Sequence, residues 1–508
     1  MTIKSLIFLL VLSLQSGCAM NGQPLQRHLS TSNNSTFRNC ADLLVATEQA
    51  IIAAGVIDSQ DARITGYPYL RVNRFLSDFR HEVSGPAFES WINRLQELAM
   101  DGWRLELMNL PANARQRLQK RVNATHPSDA SLIKALQTCG NFMRNEDLDE
   151  AAEQKTFREK ALVPDEYQTW QRIAGLYPLT APAFRFGIYR WHQQTRETYR
   201  LPLQEIPVKG QLILYTPAQN TPPLSQADVA DIIKQSSENP LHSPFPRPEE
   251  QKSLFDNFAP IFEIDMASEA DKIGTPVWQG GQYPLIDTSR PIVYRHLSHA
   301  RIRSQTLLQL NYTIWFPSRP KSSGFDLLGG HLDGITWRVT LLPDGKPWLF
   351  DTIHNCGCYH LFFPTQYTRV STPVSFLNEP ALLPQQALTV DTGKQTILRI
   401  ESASHYIQRV YFTPAIASQE YHYQWDDADS LRSLFLPDGN RRSLFGQDGI
   451  VAGSERGERF LFWPMGIPNP GAMRQWGHHA TAFVGRRHFD DPHLFEKTFD
   501  SKIDVSLD

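Results

Sequence analysis

The stretch that most constrains the fold is residues 329–360, GGHLDGITWRVTLLPDGKPWLFDTIHNCGCYH, which has the pattern of one β-hairpin. Apolar and polar residues alternate from Ile335 to Leu341, and a second strand-like run extends from Trp348 to Ile353. Pro-Asp-Gly at 343–345 supplies the turn between them. The pattern therefore predicts two antiparallel strands joined by a short loop.

The register of this hairpin decides which side chains meet at its open end. A turn in which Leu342 faces Pro347 places six metal-capable or redox-active residues on one face, because side chains alternate along a strand. These residues are His331, Asp333, His354, Cys356, Cys358 and His360. A slip of one residue would move one strand's set to the opposite face, so the prediction depends on the turn.

This cluster predicts a metal centre, because imidazole and carboxylate are preferred zinc ligands and sulfur with imidazole also suits copper. The predicted ligands are His331, Asp333, His354 and His360. Three ligands with an open position would make a catalytic centre, and four a structural one. Cys356 and Cys358 are interpreted separately, either as a structural feature or as a strained, easily reduced redox pair.

Three further groups are weaker candidates. His296 and His299 are three residues apart and predict one face of a surface helix. Residues 477–491 carry histidines and arginines around a short strand-like run and could line the same cleft as the hairpin end. Glu263 and Asp265 lie on one face of a strand, where a solvated surface is favoured over an acid–base pair.

The N-terminus predicts an exported protein. Its apolar run, residues 6–14, is too short to span a bilayer as a mature helix. Ser16, Gly17 and Cys18 resemble the lipobox of bacterial lipoproteins, which implies lipidation of Cys18, and Ala19 after it implies sorting to the outer membrane. The alternative is a cleaved, soluble periplasmic protein. Later residues contain no long apolar run, so the predicted membrane contact is through the lipid anchor alone.

The rest of the chain predicts an α+β protein with a helical N-terminal lobe followed by a β-rich C-terminal lobe. The predicted divisions are a signal peptide at 1–17, a tether at 18–37, the helical lobe at 38–205, the β-rich lobe at 206–495 and a tail at 496–508. In an oxidising envelope, Cys40 and Cys139 are expected to form a disulfide.

The functional hypotheses follow from the leader and the hairpin. The leading one is a lipoprotein of the outer membrane that faces the periplasm and acts as a metal-dependent hydrolase on a cell-envelope polymer. The alternative is a non-enzymatic scaffold or binding module with structural cysteines, and a third class is a thiol-redox protein. A formal net charge of -3 without long single-sign runs gives no basis for nucleic-acid binding.

Elemental analysis tests the metal hypothesis. Purified protein is expected to contain stoichiometric zinc or copper, and His331→Ala and His354→Ala are expected to lower the occupancy because each removes a ligand. No stoichiometric metal, or unchanged occupancy in both variants, would contradict the hypothesis.

Overall fold

A computed structural model describes residues 34–122, 125–218, 222–371, 378–390, 393–417 and 419–502. The predicted signal peptide, Cys18 and most of the predicted tether lie outside these ranges, as do residues 503–508 of the predicted tail. Within them the architecture is α+β, with a helical N-terminal region followed by a large, mainly β-sheet region. The fold class predicted from the sequence is confirmed.

Eight helices and one small hairpin come before the main sheet in the described residues. The helices are Ser35–Ala54 (α1), Arg74–Asp78 (α2), Pro86–Asn109 (α3), Ala112–Val122 (α4), Asp129–Asp147 (α5), Ala151–Lys160 (α6), Thr169–Ala174 (α7) and Tyr177–Arg200 (α8). The hairpin strands are Ala62–Ile64 (β1) and Tyr67–Val72 (β2). No helix in the described ranges has both the length and the apolar character needed to cross a membrane.

Local sequence signals set the limits of α1. The Asn34 side chain accepts a hydrogen bond from the backbone N–H of Thr36 at 2.9 Å and so caps the first turn, within the predicted tether. Gly55 ends the helix with a positive φ of 66°, a conformation that glycine adopts without strain. A disulfide between Cys40 and Cys139 joins α1 to α5, as the sequence predicted.

The later part of the chain supplies the remaining helices and strands. The helices are Gln226–Ser236 (α9), Pro248–Asn257 (α10) and Arg459–Phe462 (α11). The main-sheet strands are Gln211–Pro217 (β3), Ile261–Met266 (β4), Ile292–Ile302 (β7), Gln305–Arg319 (β8), Gly330–Leu341 (β9), Pro347–His354 (β10), Leu361–Pro364 (β11), Thr396–Ile400 (β13), Ile407–Phe412 (β14) and Gln419–Asp427 (β15). Short strands are Thr275–Val277 (β5), Leu285–Asp287 (β6), Thr368–Val370 (β12), Leu434–Phe435 (β16), Arg441–Arg442 (β17) and Phe499–Ser501 (β18).

The main sheet has ten strands among the described residues, in the order β11-β10-β9-β8-β7-β15-β3-β4-β13-β14. Neighbouring strands are antiparallel except where β15 pairs with β3 and β7 and where β13 pairs with β4. Strand β9 is buried on both faces for most of its length, so its polar positions do not face solvent. The Arg338 side chain instead forms a buried ion pair with Asp351 across the hairpin, with Nε 2.8 Å from Oδ1.

The hairpin has the predicted register over most of its length, with Leu349 opposite Thr340 and His354 opposite Ile335. The register shifts next to the turn, where Pro347 pairs with Leu341. The regular ladder between the two strands ends at His354, and one further backbone hydrogen bond, from the N–H of Asn355 to the carbonyl of Gly334 at 2.9 Å, follows it, whereas β9 continues its pairing with β8. The open end of the hairpin therefore differs from the regular ladder on which the six-residue prediction was based.

The last two of the eight N-terminal helices pack on the β-rich region. Arg172 of α7 donates from Nε to the carbonyl of Met465 at 2.8 Å, and Tyr199 of α8 donates to the carbonyl of Ile407 at 2.8 Å. Elsewhere, a buried ion pair joins the helical region to the sheet region, with Arg432 Nε 3.0 Å from Asp58 Oδ1.

Removal of the disulfide tests its contribution to stability. The double variant Cys40→Ser, Cys139→Ser is expected to lower the free energy of unfolding by about 2–4 kcal/mol, because its loss frees the unfolded chain between residues 99 positions apart. Urea unfolding of the variant and of the parent with dithiothreitol is expected to give matching midpoints below that of the oxidised parent. Identical midpoints for all three would contradict the expectation.

Candidate functional site

The four predicted metal ligands occupy three separate environments. His331 is half-buried, with Nε2 2.6 Å from the carbonyl oxygen of Pro284. His360 Nε2 lies 2.8 Å from Asp351 Oδ2. Only Asp333 and His354 approach each other, with 3.5 Å between Oδ1 and Nδ1. Among the described residues, no group of three or more histidine, cysteine, aspartate or glutamate side chains is arranged to hold a metal ion.

Asp333 is the centre of a buried charged cluster. Its Oδ1 accepts a hydrogen bond from Arg456 at 3.0 Å, and its Oδ2 lies 2.8 Å from His405 Nδ1. Burial alone would raise the pKa of Asp333, but the neighbouring Arg456, His354 and His405 outweigh it and hold the pKa well below its usual value. Both carboxylate oxygens are therefore already engaged, and this geometry does not fit a metal ligand. Metal binding therefore remains a prediction, which elemental analysis of the purified protein would test.

His405, which the sequence analysis did not single out, lies between two carboxylates. Its Nε2 is 3.5 Å from Asp271 Oδ1, and its ring stacks on Phe316 with 3.9 Å between centroids. Burial opposes the charged imidazolium, yet the neighbouring carboxylates of Asp271 and Asp333 outweigh burial and raise the pKa of His405. The ring links the loop before β14 to β9.

Two of the weaker candidates differ from their predictions. His296 and His299 lie on the strand Ile292–Ile302 and not on a helix, because this segment pairs along most of its length with β8. The His296 ring packs on Trp476 at 4.4 Å, and His299 Nε2 lies 2.7 Å from the carbonyl of Pro244. Both histidines therefore have structural contacts.

Glu263 and Asp265 are buried, so the expected solvated strand face is wrong. Glu263 forms an ion pair with Arg399, and Asp265 accepts backbone hydrogen bonds from Lys209 and Gly210, each at 2.7 Å. These partners satisfy both carboxylates inside the sheet region. Alternation along a strand does not reveal which elements cover the two faces of a sheet, so it could not predict that these carboxylates are buried.

The hairpin end instead borders a cleft of about 580 Å³ between α8 and the segment 356–360. Most of the lining is apolar or aromatic. It includes Phe184, Ile188, Trp191, Tyr359, Tyr406, Leu461, Phe462, Ile467 and Phe483. Residues 480–483 belong to the segment that the sequence analysis placed beside the hairpin, and they do line this cleft.

Aromatic rings form a continuous wall along the cleft. The Trp191 ring is 5.2 Å from that of Tyr359, which is 4.7 Å from that of Tyr406. Arg319 donates to the Tyr406 hydroxyl at 2.9 Å and fixes its orientation. The same three rings line a second cavity of about 160 Å³, which also contains His354. The aromatic wall therefore separates His354 from the apolar cleft.

A few polar groups interrupt the apolar lining. Cys356 and Cys358 are free thiols and both line the cleft, as does Glu458. The Glu458 side chain is 3% exposed, and burial raises its pKa to about 7 despite the nearby Arg456. His360 also lines the cleft, and burial lowers its pKa to about 4, so its ring is neutral near pH 7.

The surface next to the cleft exposes bulky apolar side chains. On α8, Leu179 is 76% and Phe186 64% exposed, and on α11, Phe460 is 73% exposed. Trp170 and Ile173 on α7 are also exposed. We call these five residues the apolar rim. Two of the three helices that carry them, α8 and α11, also line the cleft.

Comparison with known proteins finds no matching protein-family model, no similar curated protein and no similar solved structure.

The Asp333→Asn variant tests the buried charged cluster. It is expected to lower the free energy of unfolding by about 3–5 kcal/mol at pH 7, because Arg456 and His405 lose their buried counter-charge. Asp344→Asn is the matched control, since Asp344 pairs with Lys346 on the surface, where such pairs contribute about 0–1 kcal/mol.

The difference in unfolding free energy between the parent and Asp333→Asn is expected to depend on pH. The pKa of Asp333 is lowered by folding, so its contribution is present above the unfolded pKa of about 4 and is lost as pH falls through the folded value. Urea unfolding is expected to show a difference between parent and Asp333→Asn that narrows below about pH 4. A small difference at pH 7, equal to that of Asp344→Asn, would contradict this account.

Proposed function

We propose that the protein is a lipid-anchored envelope protein, facing the periplasm, that binds the acyl chain of a membrane lipid in the cleft. The single observation that carries this proposal is the cleft of about 580 Å³ with its largely apolar and aromatic lining. Binding sites for small molecules have volumes of roughly 300–1,000 Å³ and linings of this kind. Each methylene group buried there contributes about 0.8 kcal/mol, so an alkyl chain can bind without many polar contacts.

The apolar rim supports a lipid as the source of the chain. Helices that present tryptophan, phenylalanine and leucine side chains toward one side associate with the interface of a membrane. In this protein the same helices, α8 and α11, carry rim residues and cleft residues. A rim seated on the bilayer would place the cleft beside the acyl chains, and the lipid anchor expected at Cys18 would keep the protein at that surface.

Acyl-chain binding is a specific form of the binding-module alternative, with a membrane lipid as the ligand. The metal-dependent hydrolase is not supported by the arrangement of its four predicted ligands, because only Asp333 and His354 approach each other. The thiols and Glu458 lie where a polar part of the ligand would meet the protein. The two thiols and the carboxyl group are also chemically able to react with a bound acyl chain.

Filling the cleft tests the site directly. Gly187 lines the cleft, and a Cβ atom added there meets no other atom within 4 Å. Gly187→Trp is therefore expected to fill the cleft without disturbing the fold and to weaken binding of the apolar dye N-phenyl-1-naphthylamine by at least about tenfold, a loss of roughly 1.4 kcal/mol. Dye fluorescence and competition by phosphatidylglycerol vesicles measure this.

The matched control is Gly324→Trp, because Gly324 also has open space at Cβ and does not line the cleft. Its dye affinity is expected to equal that of the parent. Equal binding by the parent and by Gly187→Trp, or no competition from the vesicles, would contradict the proposal.

Glu458 predicts a pH dependence of dye binding. Its carboxyl has a pKa of about 7, and an apolar ligand beside it favours the neutral form further. Affinity for the uncharged dye is therefore expected to fall as pH rises through about 7, by up to tenfold per unit. Glu458→Gln is expected to bind with the same affinity on both sides of this range. A parent profile that does not change with pH would contradict the role given to Glu458.

A further inference from the structure

The tight turn after β10 holds two thiols side by side in the cleft. The backbone N–H of Gly357 donates to the carbonyl of His354 at 2.7 Å, and the N–H of His354 donates to the carbonyl of Cys358 at 3.0 Å. Gly357 has a φ of 89°, and a Cβ atom there would lie 2.7 Å from the carbonyl oxygen of Ala480. Only glycine fits between the two cysteines, so the turn fixes their relative position.

The surroundings of Cys356 favour its thiolate. A hydrogen bond from Cys358 and the positive charge of Arg456 outweigh burial and lower the pKa of Cys356. Arg456 is itself held in place, since it donates to Asp333 and to the carbonyl of Leu332, each at 3.0 Å. Cys356 is buried at the wall of the cleft, and because the thiolate is the reactive form of cysteine, these surroundings favour Cys356 as the nucleophile of the pair.

Glu458 supplies a proton donor on the same cleft. Its buried carboxyl group has no hydrogen-bond partner in the described part of the chain, although Arg456 lies nearby. With a pKa of about 7, much of this carboxyl group is protonated at neutral pH. It can therefore give a proton to a leaving oxygen without losing a structural contact.

We propose that Cys356 and Cys358 reduce the hydroperoxide of a lipid acyl chain bound in the cleft, with Glu458 as the proton donor. This inference rests on the proposed function, which supplies the acyl chain. Two adjacent thiols can donate the two electrons that break one O–O bond, whereas ester cleavage by a cysteine would need only one thiol. The pair and the apolar cleft together point to an oxidised acyl chain as substrate.

The reaction balances in two steps. The Cys356 thiolate attacks the outer oxygen of the hydroperoxide, the O–O bond breaks, and the leaving alkoxide takes the proton of Glu458 to become the lipid alcohol. Cys356 is then a sulfenic acid. The Cys358 sulfur attacks the Cys356 sulfur, the S–O bond breaks, and hydroxide leaves with the Cys358 proton as water. An external dithiol reduces the resulting disulfide, and Glu458 regains a proton from water.

The experiment uses reduced protein with an equimolar amount of linoleic acid hydroperoxide, and hydrogen peroxide in parallel. The parent is expected to lose both free thiols, to lose two hydrogen atoms in its intact mass, and to release the lipid alcohol. Its rate with the lipid hydroperoxide is expected to exceed that with hydrogen peroxide at least about tenfold, because only the lipid gains binding energy from the cleft. Gly324→Trp is expected to match the parent.

Three variants test the roles proposed for Cys356, Cys358 and Glu458. Cys356→Ser is expected to be inactive, Cys358→Ser to stop at a sulfenic acid that dimedone traps, and Glu458→Gln to form alcohol more slowly with unchanged dye binding below pH 7. Thiols that survive the lipid hydroperoxide, or a Cys356→Ser variant that reacts like the parent, would overturn the inference. The pair would then be structural or an exchanger of protein disulfides.

Dye binding on the same preparations separates the two proposals. If the dye binds, Gly187→Trp blocks it, and the thiols do not react, the peroxidase inference fails and acyl-chain binding stands. If the dye does not bind and Gly187→Trp reacts with the lipid hydroperoxide as fast as the parent, acyl-chain binding fails and the inference falls with it.

Discussion

The buried carboxylate of Asp333 is the interaction on which the region around the cleft depends. It contacts Arg456 and His405, while His354 lies 3.5 Å away, so one negative charge ties β9 to the segments before β14 and around α11. A buried charge is costly unless each of its partners is in place. The cluster therefore fixes where Arg456 stands, and Arg456 in turn sets the electrostatic environment of Cys356 and Glu458.

The cleft forms because regular pairing ends at His354. Strand β9 continues along β8, whereas the chain after His354 makes a turn that only glycine at 357 allows. This turn brings Cys356, Cys358 and Tyr359 to the cleft, opposite the apolar side chains of α8. An apolar space bordered by two thiols and a carboxyl group with a pKa of about 7 suits an apolar chain that carries a reactive group. The exposed rim on α8 and α11 would give such a chain a route from a membrane.

The sequence predicted the parts of this arrangement that follow from local pattern. The α+β class, the Cys40–Cys139 disulfide and the register from Leu349 to His354 are all present in the structure. The fold class and the register could be predicted because periodicity and turn residues act over a few positions. The disulfide could be predicted because Cys356 and Cys358 lie together in the hairpin, which leaves Cys40 and Cys139 as partners. The open end of the hairpin borders the cleft, although its six side chains do not have the arrangement expected from strand parity.

The remaining features depend on contacts between distant parts of the chain. Strand parity could not show that pairing ends at His354, because the carbonyl of Asn355 accepts a hydrogen bond from the backbone N–H of Arg474, more than a hundred residues later. Nor could alternation distinguish the buried Glu263, which pairs with Arg399, from a solvated residue. Glu458 and Arg456 had no motif to mark them, and the apolar stripe of α8 looks the same in sequence whether it is covered or exposed.

The central claim is that the cleft receives an acyl chain, and photocrosslinking tests it most directly. Protein incubated with vesicles that contain a phospholipid with a diazirine on its acyl chain is irradiated, digested and mapped by mass spectrometry. The account predicts labels concentrated on Ile188, Trp191 and residues 480–483, which line the cleft. Labels confined to the apolar rim, or scattered over the surface with none in the cleft, would contradict it.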